Sequence, residues 1–460
     1  MGLGFAILQL VVMDLSRHLA WDEAVYYSEV HPIGDPLGFN AHRSRGITWL
    51  VAPVLLVTDS IVAMRLYLVA LSSVGLVVAF AVWRRTISWG AVAAAVLFGT
   101  SWLSFTYGSE LMPNLFSALA GLTAMGLAIA YQAKPSSWLS IGVFVASGLT
   151  TLIRPLDGAV LLLALGISMF ILRSTRLSRP FGPALLGALA IGIVPWAIES
   201  WARFGGPIER LEQTRRLVGG GLTNNLGTYA QMLGAPLTPG TVAAADWQVA
   251  MWLGLLVALS VLGTVAGASM SKRVGLIALV TAFLMTAPYL FYSEAAAPRF
   301  MTPAVGFLSI SAGIGVYAIS RSNSGRSLAV VVGSLIVATL MTFQVGIGTQ
   351  WSEFQTESRL VSVTLADTLA AAAGQRPCSF LSTFGYPQME IRSGCHGGRL
   401  TSDAAANLSL LSEELAAGNE VFALVASNDP TEFLDASWHC SKVSSVSDSR
   451  WHLCDFARDS

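Results

Sequence analysis

Long apolar runs separated by short polar links occupy the first 350 positions of the chain. Two examples are "VAMRLYLVALSSVGLVVAFAVW" (62–83) and "SLAVVVGSLIVATLMTFQVGIG" (327–348). A helix of about 20 apolar residues is long enough to span a bilayer. The pattern therefore predicts a polytopic α-helical membrane protein, with spans at 62–83, 89–106, 112–132, 139–153, 157–172, 182–201, 249–269, 274–292, 301–320 and 327–349.

Two further apolar segments are too short for this pattern. "LGFAILQLVVM" (3–13) predicts either a half-buried signal-anchor helix, which makes a total of about 11 transmembrane helices, or a natural start upstream of Met1. "ITWLVAPVLLVT" (47–58) is also short, and counting it as a crossing would reverse the side of every later link. It is therefore interpreted as a re-entrant or interfacial helix on the outer face.

Charge placement predicts which links face the cytoplasm. Only 12% of the residues are charged, against about 25% in an average soluble domain. Links rich in basic residues lie on the cytoplasmic side, and five links here hold ten basic residues and no acid: Arg84, Arg85, Lys134, Arg173, Arg176, Arg179, Lys272, Arg273, Arg321 and Arg326. The loops 14–61 and 202–248 and the tail after 350 are then extracytoplasmic. We expect the protein to lie in a bacterial plasma membrane.

The tail has a different composition and is predicted to form an extracytoplasmic domain (351–460) beside a membrane module (1–350). Four cysteines confined to the outer side predict two disulfides, for which three pairings exist; they are Cys378, Cys395, Cys440 and Cys454. Strands at "CSFLSTF" and "EVFALVAS", a helix at 403–418, a second helix and a hairpin flanked by Cys440 and Cys454 predict a small α/β cap.

The outer loops carry an excess of arginine. Nine arginines lie there, whereas the whole chain has three lysines. Because the planar guanidinium binds phosphate or carboxylate through two hydrogen bonds, the set predicts a site for an anionic lipid headgroup or its phosphate. The alternative is pairing with outer-loop acids, and Asp157 and Glu199 are interpreted as structural. The candidate ligands are His42, Arg43, Arg45, Arg154, Arg215, Arg216 and Arg299.

Two adjacent carboxylates, Asp22 and Glu23, follow the first apolar segment. They either cap the short helix "EAVYYSEV" or supply a catalytic base. Both roles are compatible if one acid is catalytic and the other caps the helix or holds an arginine. Glu110, at the outer end of a span, is a further catalytic candidate. No metal ligands are assigned, and a divalent metal remains open because one acidic pair does not decide it.

Five short segments occur in order along the chain: "DEAVYY" (22–27), "ITWLVAPVLLV" (47–57), "SELMPNLFSALAGL" (109–122), "LIRPLDG" (152–158) and "APRFMTPAVGFLSI" (297–310). As a set they resemble the GT-C glycosyltransferases, in particular the branch with the protein O-mannosyltransferases and the lipid A aminoarabinose transferase. The resemblance implies a sugar donor on polyprenyl phosphate, transfer on the outer face, and Asp22 as catalytic base. Many relatives carry an acid where this chain has Asn114, and Glu110 is the candidate to replace it.

The chemistry that this resemblance implies needs few groups. Polyprenyl phosphate is a good leaving group, so no general acid is required, and arginines stabilise the charge that develops on the phosphate. The acceptor hydroxyl is a weak nucleophile and needs a carboxylate to take its proton. A single base on the face opposite the leaving group inverts the configuration at the anomeric carbon. We therefore expect transfer of a hexose or pentose to a glycan, lipid or protein acceptor.

A secondary transporter or flippase for an anionic lipid-linked substrate is the alternative function. It would also hold arginines and acids near the membrane, but the sequence shows no internal repeat of the kind found in many transporters. A scaffold without catalysis would leave the one-sided arginines unexplained. The expected partners are the lipid-linked donor, its acceptor and the membrane, without nucleic acid.

Overall fold

The computed structural model describes residues 1–31, 37–172, 181–234, 242–266, 268–321, 326–401, 407, 412, 414–434, 437–443 and 450–456. The chain forms two compact units. Unit 1 comprises Met1–Leu15, Asn40–Pro53 and Ala63–Ser352, and unit 2 comprises Ser16–Phe39, Val54–Val62 and Glu353–Ser460. The division proposed from sequence cuts the chain once, near 350, whereas two segments of the first outer loop cluster with the C-terminal part.

Helices form most of unit 1, and the predicted spans coincide with α4, α6 to α11 and α14 to α17. In chain order the helices are α1 (Gly2–Val12), α2 (Trp21–Ser28), α3 (Gly46–Leu55), α4 (Ile61–Ala81), α5 (Arg84–Ile87), α6 (Gly90–Gly99), α7 (Trp102–Gly108), α8 (Pro113–Ala133), α9 (Ser137–Ile153), α10 (Pro155–Ile171), α11 (Phe181–Arg203), α12 (Pro207–Val218), α13 (Leu226–Gly234), α14 (Val242–Val265), α15 (Ser269–Phe291), α16 (Thr302–Arg321), α17 (Arg326–Ala373) and α18 (Tyr386–Ser393).

Several of these helices have the length and composition of membrane spans. Within the described ranges five are long and apolar enough to cross a bilayer, and they lie in α4, α8, α11, α15 and α16. A sixth results if α6 and α7 are counted as one broken span. The architecture is that of a multi-pass membrane protein. The total of about 11 spans and their orientation remain predictions.

The span predicted at 89–106 is divided into α6 and α7, which are bent by 66°. At the break Ser101 has an extended backbone, with φ −65° and ψ 131°. The N–H of Trp102 donates to Oε1 of Gln344 on α17 at 3.1 Å. A side chain from a distant helix thus satisfies a backbone donor that the break frees, which makes the break tolerable in an apolar interior.

Small residues allow the helices of unit 1 to approach closely. A Cβ atom at Gly313 of α16 would lie 2.3 Å from the carbonyl oxygen of Gly90 on α6. One at Gly263 of α14 would lie 2.0 Å from the carbonyl oxygen of Ser311 on α16. Only glycine permits backbone contact this close, as in other membrane helix pairs.

Unit 2 contains a five-stranded mixed sheet. Its strands are β1 (Cys378–Ser382), β2 (His396–Arg399), β3 (Glu420–Ala426), β4 (Trp438–Lys442) and β5 (Trp451–Phe456). The order is β2-β1-β3-β5-β4, with β1 parallel to β2 and β3, and β5 antiparallel to β3 and β4. The predicted small sheet domain is confirmed, including β1, β3 and the hairpin, while α18 and β2 were not predicted.

Two predicted helices of the tail have different outcomes. The helix at 403–418 lies mainly outside the described residues. The helix expected after β3 is a single 3-10 turn, Pro430–Glu432, and Asp429 accepts a hydrogen bond from the N–H of Thr431 at its start. Pro430 begins this turn, at the first helical position where proline is favoured.

The expected two disulfides are present and all four cysteines take part in them. They join Cys378 to Cys395 and Cys440 to Cys454. Cys440 and Cys454 lie directly opposite each other in the β4–β5 hairpin. The alternating side chains of β3 fill a core on each face of the sheet, as the two-residue period of a strand requires.

Candidate functional site

The acidic pair opens helix α2 in unit 2. Ala20 is the N-cap, and Glu23, three residues later, accepts a hydrogen bond from the Ala20 N–H at 2.9 Å. This is the carboxylate half of a capping box. Asp22 lies between them at the second helical position and is half-buried. The positive end of the helix dipole stabilises negative charge in this first turn.

Glu23 also holds an arginine that the sequence did not indicate. Its carboxylate is fully buried and pairs with Arg359 of α17 at 3.2 Å. Arg359 donates in addition to the carbonyl oxygen of His18 at 2.9 Å. Glu23 therefore caps α2 and fixes the segment before it. The predicted catalytic role of Glu23 is untested and its contacts are structural, whereas Asp22 is only half-buried.

In unit 1, Arg154 lies at the turn that joins α9 to α10. It is the C-cap of the first helix and the N-cap of the second, with an extended backbone (φ −145°, ψ 98°), because a residue before proline avoids helical geometry. Its guanidinium pairs with Asp157 at 3.3 Å and donates to the Tyr289 hydroxyl at 2.7 Å. Tyr289 and Ser117 both donate to Asp157, at 2.7 and 3.1 Å.

A second arginine, Arg299, contacts an aromatic ring that packs against this cluster. The Cζ atoms of Arg154 and Arg299 lie 5.1 and 5.3 Å from the centre of the Phe300 ring, which stacks on Tyr289 at 5.0 Å. Burial raises the pKa of Tyr229, and the charges of Arg154 and Arg299 both act to lower it. Two of the predicted phosphate ligands, Arg154 and Arg299, therefore lie together around the Phe300 ring.

A further pair of arginines meets at Glu199. Arg45 pairs with one carboxylate oxygen, and Arg210 pairs with the other at 3.0 Å. Arg210 is fully buried, and it also donates to the carbonyl oxygens of Ala41 at 3.0 Å and Arg43 at 2.8 Å. Burial lowers the pKa of Arg210, and Glu199 opposes this shift. Arg210 thus anchors the loop that carries three predicted ligands, including His42.

The same loop is held against the end of α9. A Cβ atom at Gly46 would lie 2.5 Å from the backbone of Ile153, so only glycine fits there. The hydroxyl of Ser44 donates to the Ile153 carbonyl oxygen. Since Ile153 precedes Arg154, the loop 41–46 and the Arg154 turn belong to one packed region of unit 1.

The remaining predicted ligands have different surroundings. The His42 side chain is exposed, and that of Arg43 is buried. Arg215 and Arg216 lie on the exposed side of α12, where Arg216 pairs with Glu212 at 2.7 Å in a solvated i,i+4 contact. Such pairs are common on helix surfaces and contribute little energy. Roles of these four residues in phosphate binding remain predictions.

Glu110 is buried in unit 1, three residues before the start of α8 at Pro113. Arg65 of α4, also fully buried, donates to the carbonyl oxygen of the neighbouring Ser109 at 3.0 Å. Arg65 was not recognised in the sequence because it lies inside an apolar run, although a charge inside such a run is itself a signal. In the part of the chain that the structure describes, no group of three or more His, Cys, Asp or Glu is arranged to hold a metal ion.

Comparison with known proteins finds likeness of structure at low sequence identity. No family model and no curated relative matches the chain. ArnT of Cupriavidus metallidurans, the lipid A aminoarabinose transferase, matches in a complex with undecaprenyl phosphate at a TM-score of 0.65 and 14% identity, over 100% of this chain and 98% of that one. The apo form matches at 0.66 and 13%, over 98% and 96%.

Two larger proteins share the architecture. The Archaeoglobus fulgidus oligosaccharyltransferase matches at a TM-score of 0.54 and 10% identity, over 92% of this chain and 69% of that one. The arabinofuranosyltransferase AftD from Mycobacteria matches at 0.57 and 12% identity, over 100% of this chain and 39% of that one. At these identities the likeness concerns the fold.

Proposed function

We propose that this chain, which has the GT-C fold, is an integral-membrane glycosyltransferase that uses a sugar linked to polyprenyl phosphate. It transfers the sugar to an acceptor hydroxyl on the extracytoplasmic face. A full-length structural match to a transferase complex with undecaprenyl phosphate supports the donor class. The observation that carries the mechanism is the difference between the two adjacent acids. Glu23 binds the Ala20 N–H and Arg359, whereas Asp22 is only half-buried.

Asp22 acts as the general base in this proposal. The acceptor oxygen attacks the anomeric carbon as Asp22 takes the hydroxyl proton, and the bond between that carbon and the phosphate oxygen breaks. Polyprenyl phosphate leaves with the bonding electrons, and the configuration at the anomeric carbon is inverted. Asp22 then returns its proton to water. The products are the glycosylated acceptor and polyprenyl phosphate.

Arg154 and Arg299 are the arginines proposed to bind the phosphate. They approach the same aromatic ring of unit 1. Asp157 holds the guanidinium of Arg154 in place. Guanidinium groups aimed at the phosphate stabilise the charge that it gains as the sugar departs.

The test measures sugar release and transfer by purified protein from a panel of labelled polyprenyl-phosphate sugars. Asp22→Asn should reduce both by about 10²–10⁴-fold and leave undecaprenyl phosphate binding unchanged. Glu29→Gln, the same chemical change at the other end of α2, is the matched control and should retain activity. Full activity of Asp22→Asn would refute the assignment of the base. No release from any donor, with no lipid-phosphate binding, would refute the transferase proposal.

A further inference from the structure

Unit 2 contains an open pocket of about 280 Å³ around the segment that carries Asp22. His18 and Tyr27 line it from either side of Asp22 along the chain. The other polar groups of its wall are Asp59, Ser362, Gln388 and Arg392, and aliphatic side chains complete it. The volume is just below the range of pockets that bind drug-sized ligands, about 300–1,000 Å³.

The arginine of this pocket is already paired with a carboxylate. Arg392 binds Asp367 through two hydrogen bonds of 2.8 and 2.9 Å. The same guanidinium lies 3.4 Å from Nε2 of His18. Because a carboxylate already occupies the guanidinium fork, the pocket does not offer the open positive charge that a phosphate requires.

Besides the carboxylate of Asp59, the rest of the polar wall is formed by neutral hydrogen-bonding groups. Burial, with the nearby Asp59 charge, raises the pKa of Tyr27 to about 12, so its side chain stays a neutral hydroxyl. In the amide orientation that satisfies both of its groups, Gln388 accepts from the N–H of Trp21 at 3.1 Å and donates to the Gly385 carbonyl oxygen at 2.9 Å. The pocket is therefore tied to the first residue of α2, beside Asp22.

We propose that this pocket binds a sugar residue of a glycan acceptor, an inference that rests on the proposed transferase function and specifies its acceptor. Amide, hydroxyl and carboxylate groups between aliphatic walls suit a ring that carries several hydroxyls on its edge and C–H groups on its faces. An alkyl chain would form no hydrogen bonds with these polar groups. A base needs the acceptor hydroxyl nearby, and the helix of Asp22 itself contributes to the pocket.

The test uses the full-length protein and a single introduced thiol. All four native cysteines are in disulfides, so a thiol from Val363→Cys, in the pocket wall, can be labelled selectively with an uncharged maleimide. The probes are neutral oligosaccharides of mannose, arabinose, galactose and glucose. A bound oligosaccharide should slow labelling by roughly tenfold at ten times its dissociation constant. Glu357→Cys, exposed on the same helix, is the control and should not be protected.

Each outcome decides the proposal. Protection that is specific to Val363→Cys and is weakened by Gln388→Leu supports a sugar site. Absence of protection by every oligosaccharide, equal protection of both thiols, or protection by a peptide or an anionic lipid instead would overturn it. Protection does not require turnover. Failure of the transferase proposal would therefore appear separately, as absence of donor-dependent sugar release in the Asp22 experiment.

Discussion

Glu23 and Arg359 form an ion pair that is almost completely shielded from solvent, with side chains 0% and 4% exposed and a separation of 3.2 Å. The two residues are 336 positions apart in sequence. Removal of one partner from such a pair leaves a buried charge without compensation, which costs about 3–5 kcal/mol. The pair therefore fixes the segment of unit 2 that carries Asp22.

We expect Glu23→Gln to lower the free energy of unfolding by about 3 kcal/mol, since the glutamine can still accept from Ala20 but cannot balance Arg359. The double variant Glu23→Gln/Arg359→Gln should recover part of this loss. Thermal unfolding of the purified protein measures both, with the exposed Glu357→Gln as control. Equal stability of the single variant and wild type would contradict the role of the pair.

Arg299→Gln should weaken binding of undecaprenyl phosphate by about tenfold to hundredfold, the range expected for loss of a charge-assisted hydrogen bond. Arg321→Gln is the matched control, because Arg321 also lies over an aromatic ring, that of Tyr317, but at the opposite end of α16. Binding of undecaprenol should be unaffected by either change. If Arg299→Gln weakens the binding of undecaprenyl phosphate and undecaprenol equally, Arg299 acts through packing.

Arg210→Lys should loosen the loop 41–46. An ammonium can keep the pair with Glu199, but it cannot also reach the carbonyl oxygens of Ala41 and Arg43, as the guanidinium does. We expect faster hydrogen exchange of the loop amides and a loss of about 1–3 kcal/mol in stability. Arg203→Lys, at an exposed position of α11, controls for the change of residue type. Unchanged exchange in the loop would show that Arg210 does not anchor it.

The sequence was most informative where one local pattern determines one structure. Apolar runs predicted the helices because a bilayer span requires about 20 such residues regardless of their partners. The two disulfides followed from the number and placement of cysteines. The suggestion that one member of the Asp22–Glu23 pair caps a helix or holds an arginine is confirmed for Glu23, because capping depends on spacing of three residues along the chain.

Long-range partners could not be predicted from local patterns. The break between α6 and α7 depends on Gln344, which is more than 240 positions away. Arg359 and Tyr289 lie in stretches with no motif, and each becomes part of a site only when folding brings it to Glu23 or to Arg154. No local pattern in a single sequence signals such pairs, because they form only when the chain folds.

Tyr27 makes stability sensitive to alkaline pH. Its pKa is raised from 10.0 to about 12, and its hydroxyl donates to the Asp59 carbonyl oxygen at 2.9 Å. Above pH 10 the unfolded chain loses the Tyr27 proton before the folded chain does. The contribution of the neutral Tyr27 hydroxyl to stability is therefore complete below pH 10 and disappears as pH rises to 12. The loss is at most about 2–3 kcal/mol. Unfolding midpoints between pH 8 and 12 should therefore fall less steeply in Tyr27→Phe than in wild type, and parallel curves would exclude this linkage.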